Sequence, residues 1–293
     1  MARHWLITGV SSGLGRALAD EALSRGDVVV GTVRKAADAA GFEACAPGRS
    51  FAVLLDVTAG PEAVQGAVGR ALELAGHVDV VVNNAGYGLV GAVEEVSDAE
   101  ARRQLDTNFF GPLQVVQAVL PHFRSRGSGW FVAISSVAGI VGWAGNGLYS
   151  ASKFALEGLS EALRREVSGL GIGVLIVEPG SFRTDWAGRS LVTSATTLPE
   201  YADVVATRSW PETVSGTEDG DPAAAARAVL AALDAPRPPL RLVLGPDAVA
   251  VADRKVRSMA ADVDAWRDVA TATGFQSSKT VSPTAESSKT EMA

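Results

Sequence analysis

The chain has 293 residues, 47% of them hydrophobic and 20% charged. Folding at this length buries roughly three-quarters of the unfolded surface, which excludes a wholly disordered chain and a disulfide-stapled scaffold. Basic residues number 26 against 33 acidic, a net charge of −7, so no nucleic-acid partner is expected. The single cysteine, Cys45, cannot form an internal disulfide and suits a reducing, cytoplasmic setting. No apolar run reaches the roughly eighteen residues of a membrane span. The start of the chain meets Gly9 too soon for a signal-peptide core.

Short apolar runs occupy residues 4–8, 28–33, 51–57, 78–82, 130–135, 174–178 and 240–244. They are rich in Val, Ile and Leu without polar alternation, the pattern of parallel strands covered on both faces. Between them, residues 15–25, 61–75, 98–126, 149–170 and 222–234 carry apolar residues at helical spacing. The alternation predicts one α/β domain over residues 1–275: a doubly wound, Rossmann-type, seven-stranded parallel sheet with helices on both faces. Two segments break the rhythm. Residues 185–221 mix Trp186, Tyr201 and Trp210 with Ser and Thr, and are expected to form a substrate lid ordered by ligand. Residues 276–293 repeat Ser-Ser-Lys-Thr without apolar anchors and are expected to be a disordered tail.

The first strand ends in Thr8-Gly9-Val10-Ser11-Ser12-Gly13-Leu14-Gly15 and opens directly into a helix. Glycines there permit a tight turn and close approach of backbone to a pyrophosphate, and the helix N-terminus offers free N–H groups to it. Gly9, Ser11, Ser12, Gly13, Leu14 and Gly15 are therefore candidate cofactor contacts. Residues 9–13 also fit G-x-S-x-G, the nucleophile elbow of α/β-hydrolases. That reading needs a later acid and histidine; the later histidines are His77, before a strand, and His122, at an apparent helix end after Pro121.

The second strand ends in Val33-Arg34-Lys35, with no acidic residue until Asp38. A site for NAD(H) places an acid there, about twenty residues past the glycines, to bind the ribose 2′-hydroxyl. Arg34 instead matches a 2′-phosphate, so NADP(H) is the expected cofactor; the bland alternative is a solvated loop arginine.

Further strand ends carry Asn83-Asn84-Ala85-Gly86, Ser135-Ser136 and Pro179-Gly180, and a helix carries Tyr149-Ser150-Ala151-Ser152-Lys153. With the glycine turn, this ordered set resembles the short-chain dehydrogenase/reductase family from about Trp5 to Leu244. The chemistry also reads from the residues. Tyr149 and Lys153 share one helix face, and an ammonium beside a phenol would lower its pKa from the ordinary value of about 10. Tyr149 then serves as general acid/base, while Ser136 hydrogen-bonds the substrate oxygen. In isolation, Tyr149 reads as an ordinary core tyrosine and Lys153 as a surface lysine.

The resemblance implies further roles. Lys153 would also hold the nicotinamide ribose, and Asn108 would position a water in a proton relay. Asn84, Ala85 and Gly86 would contact cofactor, with Asn83 mainly tying strands together. Asp56 and Val57 would face the adenine, and Pro179, Gly180, Phe182 and Thr184 the nicotinamide carboxamide. A homodimer or homotetramer with helix 149–170 in an interface is also implied.

Tyr87, Val137, Trp143, Phe182 and Trp186 are the expected pocket walls, with no Arg or Lys placed to clamp a carboxylate. The expected substrate is thus a small hydrophobic ketone or aldehyde, or the corresponding alcohol. The alternatives are a nucleotide-sensing protein without turnover, which has no need of an acid/base, and an epimerase or dehydratase, which an apolar pocket does not suit.

Overall fold

The computed structural model describes residues 2–203 and 205–275; the segment from Gln276, read above as a tail, lies outside the described residues. Among these residues the strands are β1 (His4–Ile7), β2 (Val28–Val33), β3 (Ser50–Leu54), β4 (Val80–Asn83), β5 (Gly88–Val90), β6 (Gly129–Ile134), β7 (Ile172–Pro179), β8 (Leu191–Thr193) and β9 (Arg241–Leu244). The helices are α1 (Gly13–Ser24), α2 (Ala36–Glu43), α3 (Pro61–Ala75), α4 (Asp98–Leu105), α5 (Gly111–Arg126), α6 (Gly147–Val167), α7 (Trp210–Thr213), α8 (Pro222–Asp234) and α9 (Pro246–Thr271).

Seven strands form one parallel sheet in the order β3-β2-β1-β4-β6-β7-β9. Neighbouring residues along each strand feed two different cores. Trp5, Ile7, Val29, Val80 and Val82 pack with Leu18, Ala22, Val229 and Leu230 of α1 and α8. Leu6, Val30, Val81 and Phe131 pack with Val64, Val68, Val115, Phe123 and Leu163 of α3, α5 and α6 on the other face. This two-sided burial explains the unbroken apolar runs, each buried Val or Leu contributing about 1.5–3 kcal/mol. The one polar atom of the buried Trp5 is satisfied: its Nε1 donates to Asp27 Oδ2 at 2.8 Å.

The strand order reverses between β1 and β4, so a crevice opens at the carboxyl ends of these strands. Several boundaries differ from the sequence reading. The third strand stops at Leu54, leaving Asp56 and Val57 in the loop after it. The expected single helix over 98–126 is divided into α4 and α5 by a π-turn, Asp106–Phe110. Pro121 lies inside α5 rather than at its end. Residues 185–221 hold β8, which pairs in parallel with β5 from Gly88↔Leu191 to Val90↔Thr193.

The chain to Lys255 makes one compact unit. A second begins at Val256 and carries the later turns of α9, a helix the sequence reading did not anticipate.

Candidate active site

The loops following β1, β2, β3, β4, β6 and β7 line one cleft of about 1120 Å³. Below it lies the glycine turn. Gly9 and Gly13 take φ of +75° and +64°, a region that favours glycine. A Cβ on Gly15 would lie 2.3 Å from both Asn84 Nδ2 and Gly9 O. Gly15 thus serves packing and does not reach the cleft, whereas Ser11, Ser12, Gly13 and Leu14 do. Ser12 is the N-cap of α1, yet its hydroxyl makes no capping hydrogen bond. The first-turn N–H groups and this hydroxyl form a cradle that fits an anionic diphosphate.

The turn is tied to β4 by Asn84, not Asn83. Asn84 Nδ2 donates to Thr8 O at 2.8 Å and Gly9 O at 2.9 Å, and Thr8 Oγ1 accepts the N–H groups of Asn84 and Ala85. The expected division of labour between the two asparagines is corrected: the tie falls to Asn84, which still borders the cleft beside Ala85 and Gly86. The reason is direction. Successive strand residues face opposite sides, and the Asn83 amide points toward Pro112 O, 3.5 Å away.

Arg34, Asp56 and Val57 line the end of the cleft beyond β2 and β3. Arg34 is exposed. Burial works to raise the Asp56 carboxyl, but the N–H and hydroxyl of Thr58 and the Arg34 charge hold it below its ordinary value. Pro179, Gly180, Phe182 and Thr184 line the side beyond β7. A Cβ on Gly180 would lie 2.3 Å from Asp247 Oδ1, and Asp247 Oδ2 accepts the Ser181 N–H at 2.8 Å. Asp247, at the start of α9, is thus a support for this loop that no sequence spacing revealed.

Ser136, Tyr149 and Lys153 meet on the wall of the same cleft. Tyr149 and Lys153 stand one turn apart on α6, and both are buried. The Lys153 ammonium donates to Ile134 O at 2.9 Å and lies 5.8 Å from the centre of the Tyr149 ring. Burial pushes the phenol up to about 12, with the hydrogen-bonding Ser136 hydroxyl acting against it. The one-turn spacing of Tyr149 and Lys153 predicts a lowered phenol. Here burial dominates and Lys153 points to a backbone carbonyl, so Tyr149 is held neutral, as a proton donor. Burial brings Lys153 down to about 8, opposed by the charge of Glu157.

Asn108 lies in the π-turn, buried, and off the cleft wall. Its Oδ1 accepts the Tyr87 N–H at 3.1 Å, and its Nδ2 donates to Tyr87 O and Ser152 Oγ at 3.0 and 3.1 Å. Its visible work is to clamp the strand end carrying Tyr87 to α6.

Tyr87, Val137, Trp143, Phe182 and Trp186 all border the cleft. The Trp186 ring packs on Tyr149, centroids 5.5 Å apart. This needs Gly88, where a Cβ would come within 2.6 Å of the indole. Leu89, Val192, Trp210 and Val214 extend the apolar wall; they come from β5, β8 and the segment after it, too far apart in the chain to be read together. Arg103 and Arg189 also line the cleft, two basic side chains the sequence spacing did not place there, with Arg189 paired to Asp185 at 2.6 Å. Among the described residues no histidine borders it, so the nucleophile-elbow reading has no base.

Residues 3–193 match the family model for short chain dehydrogenase. The chain is 38% identical over 273 residues to oxidoreductase BOA17 of Botryotinia fuckeliana, covering 93% of this chain and 99% of that protein. It is 36% identical over 252 residues to human (Homo sapiens) retinol dehydrogenase 8, covering 82% and 80% of the two chains. A crystal structure of a short-chain dehydrogenase from Streptomyces avermitilis superposes with a TM-score of 0.87 at 43% identity, covering 94% of this chain and 99% of that one. The glycine cradle, the clustered Ser136, Tyr149 and Lys153, and these matches agree: the chain belongs to the short-chain dehydrogenase/reductase family of oxidoreductases.

Proposed function

We propose that the protein is an NADP(H)-dependent oxidoreductase that interconverts a hydrophobic ketone or aldehyde and its alcohol, with Tyr149 as general acid/base. The observation that carries this is the meeting of Ser136 with the buried Tyr149 and Lys153 on one wall of a cleft whose floor is a diphosphate cradle. Gly9, Ser11, Ser12 and Gly13 would hold the diphosphate, Arg34 the 2′-phosphate, and Lys153 the nicotinamide ribose. When bound, the nicotinamide supplies or accepts the hydride. In reduction the neutral Tyr149 hydroxyl gives its proton to the carbonyl oxygen, Ser136 hydrogen-bonds that oxygen, and the Lys153 ammonium stabilises the phenolate left behind. Asn108, through Ser152 and Tyr87, would keep α6 and the β4 end in register while positioning the relay water.

The apolar wall from Tyr87 to Trp186 supports a hydrophobic substrate, and the relative named for retinol oxidation is consistent with one. A nucleotide sensor would need no buried acid/base, so catalysis is the better reading. Consumption of NADPH with a panel of apolar ketones tests the assignment. Tyr149→Phe should still bind cofactor but lose about 10²–10⁴ in turnover; near-normal turnover on several substrates would defeat it.

We further assign the protein to the cytoplasm, where the exposed Cys45 thiol stays reduced. We also assign it a homodimeric or homotetrameric state. On α6, Leu156 and Leu163 are buried while Phe154 remains exposed, an apolar side chain on a second face of the helix. Light scattering at micromolar concentration should show more than one chain per particle; a monomer there would refute the assembly.

A further inference from the structure

Glu157 follows Lys153 by one turn of α6, is buried, and has no part in the chemistry above. It belongs to an ionic cluster spanning three elements. Arg241 of β9 pairs with Glu157, with Glu178 of β7, and with Glu161 of α6 at 2.7 Å. Three carboxylates therefore share one guanidinium. Glu178 is fully buried, and Glu157 Oε1 and Glu178 Oε2 have no hydrogen-bond partner among the described residues.

The same carboxylate abuts the strand end that carries the proposed serine. A Cβ on Gly139 would lie 2.6 Å from Ser135 Oγ and 2.8 Å from Glu157 Oε1, so these two groups crowd the same space. Ser135 stands between Ser136 and Ile134, whose carbonyl receives the Lys153 ammonium. A buried ionic cluster is a poor device for stability, since well-packed apolar residues commonly do as well or better. Its value here lies in the charge it places beside the lysine.

We propose that Glu157 is a positioning residue for Lys153: a buried anion, held by Arg241, that keeps the lysine protonated over Ile134 O and so sets the upper pH limit of proton transfer through Tyr149. This rests on reading Tyr149 and Lys153 as the acid/base pair. The groups facing Glu157 are Lys153 and Glu161 from α6, Glu178 from β7, Arg241 from β9 and the Ser135 hydroxyl at the end of β6. Burial depresses Lys153 to about 8 and the Glu157 charge opposes this. Burial also pushes Glu157 up to about 7, with Ser135 and Arg241 acting against it, so the carboxylate is ionised in the pH range where Lys153 titrates. Removing that charge lets the lysine lose its proton at lower pH.

Glu157→Gln keeps the shape and removes the charge. Its high-pH limb of kcat/KM for ketone reduction should move down by about half to one pH unit. NADPH binding followed by nucleotide fluorescence should show the same displacement without turnover, because Lys153 would hold the ribose. That second readout decides the role of Glu157 even if no ketone is reduced, the result that would instead count against the proposed reaction. A purely structural role would lower Tm or the plateau without moving either limb, and unmoved limbs overturn the proposal. Glu178→Gln is the second variant, relieving the competition for Arg241, and should not lower the limb. A downward shift equal to that of Glu157→Gln would mark a general disturbance of the cluster and overturn the proposal as well.

Discussion

At the scale of single residues, the site is governed by burial acting on opposite charge types. Tyr149 and Lys153 are equally sequestered, yet burial raises the phenol and lowers the ammonium, because in each case it disfavours the charged form. Both groups still carry their protons at neutral pH. At the other end of the cleft, Arg34 is exposed, and its charge acts on Asp56 in the loop after β3. A charge-assisted hydrogen bond contributes roughly 1.5–3 kcal/mol, less at an exposed site, so a preference for NADP(H) of about 10- to 100-fold is expected. Arg34→Asp should erode or reverse it with little change in kcat for the better cofactor. Michaelis constants for the two nucleotides check this, and equal values in the unmutated enzyme would refute it.

At the scale of elements, two carboxylates link the α4 region to the segment over the cleft. Glu95 Oε2 accepts the Ala92 N–H at 2.7 Å, while its Oε1 accepts Leu198 N–H at 2.7 Å and Arg208 pairs with the same carboxylate. Glu100 Oε2 completes a capping box with Ser97 at the start of α4, and its Oε1 accepts Ala195 N–H at 2.9 Å. Each acid caps a local turn with Oε2 and holds a backbone N–H of the distant segment with Oε1, and Glu95 Oε2 also pairs with Arg208. The Leu198 N–H above all, with Ala92 N–H and Arg208, holds Glu95 below the ordinary carboxylate range against the effect of burial. The segment expected to move as one lid is therefore tethered along β8 and residues 195–198. Glu95→Gln should speed amide exchange at Leu198 and its neighbours by roughly tenfold or more, measured by hydrogen exchange. Slow exchange identical to the parent would show the tether to be inert. Cofactor and ketone together should slow exchange in the remainder of residues 185–221.

At the scale of the whole molecule, the histidines gather beside β1 and β4 at the ends remote from the cleft. His4 and His77 stack with centroids 4.0 Å apart, and His77 Nε2 lies 3.2 Å from Asp79 Oδ2. His122 Nε2 sits 3.2 Å from both N and O of Val78. Burial lowers the His122 pKa, so the unfolded chain binds this proton more readily than the folded one. Its contribution to stability is complete above the unfolded value of about 6.5 and is lost as pH falls from there toward the folded value. The lowered carboxylates Glu95 and Glu100 act in a separate window: their contributions hold above about 4.5 and disappear as pH falls through the folded values. His122 thus adds a decline in denaturant midpoint between about pH 6.5 and 5, against which Glu157, raised by burial to about 7, works in the opposite direction, and His122→Asn should remove that decline. An unchanged slope in the variant would assign the decline elsewhere.

The seven-stranded parallel sheet, the glycine turn and the Tyr149–Lys153 pairing were legible in the amino-acid sequence, because each rests on short-range rules, whereas Ser136 was picked out over Ser135 by its spacing to Tyr149 and by family resemblance. Strands buried on both faces read as unbroken apolar runs, a strand-to-helix turn needs glycine, and residues four apart on a helix share a face. Tertiary structure alone decided the rest. Asn84 became the tie between strands because its side chain reaches back to Thr8 and Gly9. Val192, Trp210 and Arg189 joined the cleft only once β8 had paired with β5. Tyr149 was raised rather than lowered because desolvation depends on everything packed around a group, including the Trp186 ring from a distant segment. Sequence spacing specifies which neighbours share an element; dielectric environment and cross-element contacts arise only when the elements close on one another.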